Sequence, residues 1–206
     1  MTEENHGFTY GSADPSWDNA YLWNPVEKIL AELDLGQRRL FELGCGNGVS
    51  ANTLAGQGYS VTAVDTSESG IAIATKCFPS VKFALGSAYD DLCATYGSFP
   101  VVLSLEVVEH LFWPRRYANT VFNLLEPGGT AIISTPYHGY LKNLAIAVSG
   151  KFDSHVDPLA DGGHIKFWSE HTLGTLLSEA GFKSVKFVRA GRIPQLAKSM
   201  IAVAVK

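Results

Sequence analysis

Apolar residues along this chain follow two alternating rhythms. Short, nearly continuous apolar runs occur at 39–43, 59–65, 81–85, 99–105, 130–135, 182–188 and 199–205, a pattern that predicts strands covered on both faces. Between the first five lie stretches with apolar positions at helical spacing, notably 48–57, 67–77 and 115–125; in the third, Ala118, Val121, Phe122 and Leu125 share one face. Upstream, Asn24-Pro25-Val26-Glu27 reads as a helix start with Asn24 as N-cap, followed by Val26, Ile29, Leu30 and Leu33 on one face and closed by Gly36. A last helix, from about 169 to 180, puts Leu173, Leu176, Leu177 and Ala180 together. Ser169 caps it, Trp168 is placed to staple onto Leu173, and Gly181 stops it.

Strands separated by helical patterns imply right-handed crossovers and a parallel sheet. The expected fold is therefore α/β, a doubly wound, seven-stranded, mostly parallel sheet. Its final strand is antiparallel, because about a dozen residues without a helical pattern join the last two runs. Pro127-Gly128-Gly129 is the turn into the fifth strand. Residues 1–16 lack periodicity and predict a mobile arm, so that 1–36 form an arm and cap helix, and 37–206 a single domain. An insertion at about 137–168 carries a short apolar helix and a Gly- and Asp-rich loop from Asp157 to Gly163. Tyr10, Trp17, Tyr21 and Trp23 cluster before the first strand, where Trp17, Tyr21 and Trp23 either pack on the sheet or build a lid over an apolar acceptor.

Composition narrows the classes. In 206 residues, 46% are hydrophobic and 17% charged, which excludes a disordered chain. A net charge of −4 offers no general pull toward nucleic acid or an anionic membrane, so a long nucleic acid is a disfavoured partner. Three cysteines at 45, 77 and 93 have no metal-type spacing and read as free thiols in a reducing compartment. The start is acidic and polar, and the apolar stretch from Leu141 to Val148 is too short to span a bilayer and includes Lys142 and Asn143. The expectation is a cytoplasmic protein acting on a small molecule, of unassigned oligomeric state.

The chemistry starts at the turn after the first run. Leu40-Phe41-Glu42-Leu43-Gly44-Cys45-Gly46-Asn47-Gly48 joins a strand to a helix through closely spaced glycines, and the next strand ends on Asp65. Glycines let backbone approach a ligand at a helix N-terminus, and an acid at the next strand tip is placed to hold a ribose. A dinucleotide site wants G-x-G-x-x-G, whereas Gly44, Gly46 and Gly48 give G-x-G-x-G. This pattern resembles motif I of the class I S-adenosylmethionine-dependent methyltransferases. The resemblance extends through Asp65, the segment Leu103-Ser104-Leu105-Glu106-Val107-Val108-Glu109-His110, and Leu125-Glu126-Pro127-Gly128-Gly129. It implies that Glu42 and Gly44 face the methionine end of the cofactor, that Gly46 and Gly48 line its floor, and that Asp65 takes the ribose hydroxyls. Leu105 borders the site. Ser87 stands where an adenine-binding acid is usual, and its hydroxyl or the Ala88 N–H is the substitute.

Glu106, Glu109 and His110 follow the fourth strand, at the sheet edge where ligands lie in open α/β folds. Oxygen donors suit Mg²⁺ and the imidazole admits Mn²⁺ or Zn²⁺, so the three are a candidate metal set that would lower the pKa of an acceptor hydroxyl. The same residues also fit a metal-free reading, with His110 as general base, or a purely structural one. The segment is similar to that of the ubiquinone-biosynthesis O-methyltransferases and of small-RNA 2′-O-methyltransferases. The former is favoured by Ser134-Thr135-Pro136 and the insertion that follows. His164 is a second candidate base or a further ligand, with packing on Trp168 as the alternative; His138 borders the same pocket. The resemblance implies methyl transfer from S-adenosylmethionine to a hydroxyl of a small, phenolic or quinone-precursor metabolite. Alternatives are RNA or sugar hydroxyls, or a non-catalytic cofactor-binding regulator.

Overall fold

The computed structural model describes residues 8–14, 17–157 and 159–206. Its centre is a seven-stranded sheet in the order β3-β2-β1-β4-β5-β7-β6. The strands are β1 (Arg39–Leu43), β2 (Ser60–Asp65), β3 (Lys82–Leu85), β4 (Phe99–Leu105), β5 (Leu125–Pro136), β6 (Ser184–Ala190) and β7 (Ser199–Val205). The first five are parallel, while β7 inserts antiparallel between β5 and β6. The expected architecture is thus present, and the reversal at β1 and β4 opens the crevice in which such sheets hold ligands.

Helices cover both faces: α1 (Trp23–Glu32), α2 (Val49–Gly56), α3 (Glu68–Cys77), α4 (Leu92–Tyr96), α5 (Pro114–Leu124), α6 (Tyr140–Val148) and α7 (Glu170–Glu179). One buried cluster joins α5 and α7 to the sheet through Phe41, Val102, Tyr117, Val121, Leu173 and Leu177. The other seats α1 and α2 through Val26, Leu30, Leu54, Leu40 and Leu103. The central strands bury both faces, as in β4 with Val101, Val102, Leu103 and Ser104 all at 0% exposure.

Several local expectations shift. The first helix begins at Trp23, its N-cap is Leu22 without a side-chain bond, and a 3₁₀ turn, Trp17–Leu22, runs straight into it. Asn24 is therefore inside the first turn and caps nothing; Pro25 still lies where a missing N–H costs little. The helix ends at Glu32, and an extended Leu33 replaces Gly36 as its stop. Pro127-Gly128-Gly129 lies within the long β5, at the register shift between Phe99 and Val101 on β4. For α7 the Ser169 cap holds, with Thr172 completing a reciprocal capping pair. Trp168 and Leu173 lie in the same buried cluster.

The arm differs most. Between Phe8 and Asp14 the chain is fastened to the start of α3 and to the glycine loop: Tyr10 N–H donates to Ser69 Oγ, Ser67 Oγ donates to the Phe8 carbonyl, and Asn47 Nδ2 donates to the Ser12 and Asp14 carbonyls. Phe8 and Tyr10 stack edge-to-face at 5.1 Å. The expectation of mobility for residues 1–7, including His6, and the side chain of Trp17 lie outside the described residues.

Candidate active site

The glycine loop leaves β1 with Gly44, Gly46 and Gly48 at φ of 85°, 53° and 80°. None of the three has room for a Cβ: at Gly44 it would strike the Val107 side chain, and at the other two the reasons differ. A Cβ on Gly48 would lie 2.6 Å from the Ala74 Cβ and 2.7 Å from Phe83, so this glycine lets α2 start against α3 and β3. A Cβ on Gly46 would strike the Tyr10 hydroxyl. The Tyr10 ring lies over Gly46 and beside Gly70, and burial together with Asp65 pushes its phenol up to about 12. Asp65 stands at the tip of β2 and accepts from Gly46 N–H at 2.7 Å and Ser67 N–H at 2.8 Å. One carboxylate thus pins the loop to the next strand, beside the place expected for a ribose.

Glu42 is 1% exposed in β1, and its Oε2 has no hydrogen-bond partner. Burial raises its carboxyl to about 7, with the Asp65 charge adding to the effect and Ser50 opposing it. A buried acid with an unused oxygen beside a glycine loop is a fit receptor for a ligand ammonium. Ser87 lies after β3; its N–H donates to Asp90 Oδ2 at 2.7 Å and its Oγ accepts from Tyr89 N–H. An acid is therefore present in this loop, three residues beyond the serine. Leu105, half-buried at the end of β4, packs against the cluster under the cleft.

After β4 the chain turns sharply. Glu106 adopts φ 55°, a left-handed conformation costly for a residue with a Cβ. Its carboxylate accepts from Ser134 Oγ at 2.7 Å and from Ser199 Oγ at 3.2 Å, and its N–H is also bonded to Ser134. Glu106 is therefore tied to β5 and β7. The structure does not bring it to Glu109 and His110 as a third ligand.

The place of that third ligand is taken by His164. Glu109, His110 and His164 form a group whose donor atoms lie within 4.8 Å of one another. Nε2 of His110 and Nε2 of His164 are each 4.0 Å from Glu109 Oε1, and the two rings meet edge-to-face at 4.8 Å. His110 Nδ1 faces the carbonyls of Gly162, at 2.8 Å, and Gly163. Carbonyls only accept, so Nδ1 carries a proton, and Nε2 faces Glu109. Glu109 is 1% exposed with neither carboxylate oxygen partnered, although the equally unpartnered Thr135 hydroxyl is nearby. Desolvation, with the Glu106 charge behind it, pushes the Glu109 carboxyl well up. Burial, with His110 and His138, pulls His164 down to about 4, so it is neutral at pH 7. A buried carboxyl group without partners beside two imidazoles suits a divalent cation or a base poised over a hydroxyl.

Tertiary contacts create this group. The loop carrying His164 is anchored because the Ile165 and Lys166 N–H groups both donate to the Glu109 carbonyl, and Trp168 Nε1 donates to the Val108 carbonyl. His164 therefore points to Glu109 and does not serve as a partner for Trp168. His138, just beyond β5, bonds Asn143 through Nδ1 at 3.2 Å and stacks on Phe167 at 5.0 Å.

A family profile described as a methyltransferase domain matches residues 18–186, most of the chain. The chain belongs to the class I S-adenosylmethionine-dependent methyltransferases. Among its relatives, a ubiquinone biosynthesis O-methyltransferase of a Caulobacter species is 39% identical over 116 residues, 54% of this chain and 46% of the relative. A protein of the same name from Thiobacillus denitrificans is 29% identical over 180 residues, 82% of this chain and 78% of that one. The chain thus spans about half the length of the Caulobacter relative, but over three quarters of the Thiobacillus protein. The fold matches an S-adenosylmethionine-dependent methyltransferase from Mesorhizobium loti, with TM-score 0.70, 21% identity, and coverage of 92% and 99% of the two chains. It also matches a magnesium protoporphyrin IX methyltransferase from Synechocystis, with TM-score 0.68, 18% identity, and coverage of 90% and 81%.

In this methyltransferase, reasoning from sequence missed Tyr10. Its signal was the pair Phe8 and Tyr10 in an otherwise polar arm, since aromatic residues seldom stay in water when a groove is near. It also passed over Lys142, a lone cation in an apolar helix.

Proposed function

We propose that this methyltransferase transfers the methyl group of S-adenosylmethionine to a hydroxyl of a small phenolic metabolite of the quinone-precursor type. The observation that carries the reading is the buried, unpartnered Glu109 carboxylate facing the Nε2 atoms of His110 and His164 at the end of β4. Glu42 receives the cofactor ammonium, Gly44 lets the methionine end lie against the backbone, and Asp65, its oxygens turned toward the loop, receives the ribose. S-Adenosylmethionine supplies a methyl group on a cationic sulfur, and the protein's part is to hold donor and acceptor in line and dry.

An acceptor hydroxyl must lose its proton as it attacks. His164, neutral at pH 7, and His110 are both placed to take it, and Glu109 stabilises the imidazolium that forms. Glu109, His110 and His164 also fit a divalent cation such as Mn²⁺, Zn²⁺ or Mg²⁺, which would lower the hydroxyl pKa when bound. Three free cysteines, and the lack of any helix among the described residues long and apolar enough to cross a membrane, support a cytoplasmic setting.

The test is a methyl-transfer assay over catechols, monophenols, sugars and short RNAs, with EDTA or with added Mn²⁺ or Mg²⁺. The expected result is methylation of a catechol. A loss in EDTA restored by cation selects the metal reading, whereas indifference selects the histidines as base. Binding of S-adenosylhomocysteine without turnover of any acceptor would overturn the catalytic reading in favour of a regulatory protein, and turnover of RNA alone would replace the phenol.

A further inference from the structure

Strand β3 delivers the chain to a short loop, Gly86 to Asp91, that begins against the ribose end of the site. Gly86 N–H donates to the Asp65 carbonyl at 3.0 Å, and Asp65 pairs with Leu85 across β2 and β3. A nucleoside whose ribose is held at Asp65 carries its base toward this loop. The loop is braced from within. Ser87 N–H donates to Asp90 Oδ2, Ser87 Oγ accepts from Tyr89 N–H at 3.2 Å, and Asp90 N–H donates to the Ser87 carbonyl at 3.1 Å.

From this turn Tyr89 crosses to the acceptor side. Its hydroxyl accepts the Trp113 N–H at 3.1 Å. Arg116 fastens the same two elements again: its guanidinium lies 5.0 Å from the centre of the Tyr89 ring, and Nη2 donates to the Tyr89 carbonyl at 3.4 Å. Trp113 is the N-cap residue of α5 and Pro114 follows it, so the Trp113 N–H lies outside the helical hydrogen bonds and is answered by the tyrosine. Three residues upstream is His110. Its Nδ1 bonds the Gly162 carbonyl at 2.8 Å, and its N–H donates to the Val107 carbonyl at 3.0 Å. Between these ties Leu111 runs extended and Phe112 stands 63% exposed. A stretch this short, with an exposed middle, takes its position from its two ends.

We propose that Tyr89 is a positioning residue that links the seating of the cofactor's base to the setting of His110. The proposal rests on the reading of Glu109, His110 and His164 as the acceptor group and deepens it. Once loaded, the loop after β3 holds the tyrosine, the tyrosine hydroxyl holds Trp113, and His110 is fixed between Trp113 and the Gly162 carbonyl. Alignment of the base with the acceptor hydroxyl then improves when the cofactor is in place. The link is reciprocal: an acceptor seated at His110 tightens the cofactor by the same factor.

The full chain, carrying isotope-labelled histidine, is titrated with S-adenosylhomocysteine and followed by imidazole NMR, with His110→Gln identifying the His110 signal. That signal should move on binding in the wild type. Tyr89→Phe removes the hydroxyl alone, and should cut the movement to about a third or less while S-adenosylhomocysteine affinity stays within about twofold. With a catechol as acceptor, its kcat should fall about fivefold at a KM within about twofold of wild type, a split that lost stability does not produce. A His110 signal that stays still in the wild type, or moves equally in Tyr89→Phe, overturns the proposal. So does a Tyr89→Phe variant that binds S-adenosylhomocysteine more than about tenfold weaker, because Tyr89 would then be a cofactor contact. A His110 response as expected without methylation of any catechol keeps the link and removes the phenolic acceptor; catechol methylation with an unmoved His110 does the reverse.

Discussion

Cofactor binding by this methyltransferase should release a proton, and Glu42 should be its source. In the free chain, burial holds the Glu42 carboxyl near 7, so it is largely protonated at pH 6. An ammonium seated against it favours the carboxylate and returns the acid toward its ordinary value of 4.5. With those two values, about 0.9 proton leaves per cofactor bound at pH 6, and affinity rises about 20-fold between pH 5.5 and 7.5. His164, held at about 4, stays neutral across that window and contributes no proton. The sign for stability is opposite. A carboxyl raised in the folded state favours folding below the unfolded value near 4.5, and this stability is lost as pH rises through about 7. The free protein should thus lose roughly 3 kcal/mol over that range from Glu42, and bound cofactor should restore it. Calorimetry of S-adenosylhomocysteine in two buffers of different ionisation enthalpy counts the proton directly. Glu42→Gln should release none and should flatten the pH dependence. A release below about 0.2 proton at pH 6, or a Glu42→Gln variant with an unchanged profile, would refute the assignment of Glu42 to the ammonium.

Other substitutions divide the site into its parts. Glu109→Ala should lower turnover by about 100-fold or more while leaving S-adenosylhomocysteine affinity within about twofold, and a variant above a tenth of wild-type activity would count against the Glu109 group. Gly48→Ala places a Cβ 2.6 Å from Ala74 at φ 80° and should cost roughly 2–4 kcal/mol in urea unfolding. A loss under about 1 kcal/mol would mean that α3 yields more easily than its packing implies. Tyr10→Ala removes the ring lying over Gly46 and should speed S-adenosylhomocysteine dissociation about tenfold by stopped flow, with the association rate changed far less. An unchanged dissociation rate would leave Tyr10 as packing alone.

Much of the fold was readable along the chain because its sheet is buried on both faces. Each strand then appears as a short apolar run, and each crossover as a helical stripe, so order and direction follow from handedness. Boundaries were less legible. The cap expected at Asn24 dissolved because a 3₁₀ turn feeds α1 directly, and a turn of this kind leaves no distinctive composition. Within the site, the glycine spacing and Asp65 were local signals, and the structure joins them through the Gly46 N–H. Glu106, Glu109 and His110 looked equivalent in sequence. The left-handed turn at Glu106 separates them by sending that side chain to Ser134 and Ser199.

The sequence alone determined the family, the sheet and the donor end of the reaction, because these depend on residues close together in the chain and on repeated periodicity. Tertiary structure decided the acceptor end. His164 reaches Glu109 only because a loop fifty-odd residues away hydrogen-bonds to the Glu109 carbonyl, and Lys142 meets Lys198 across the reversal at β7. Such contacts have no period and no fixed spacing. They arise where burial forces a polar group to find a partner, and that partner is chosen by the packed fold.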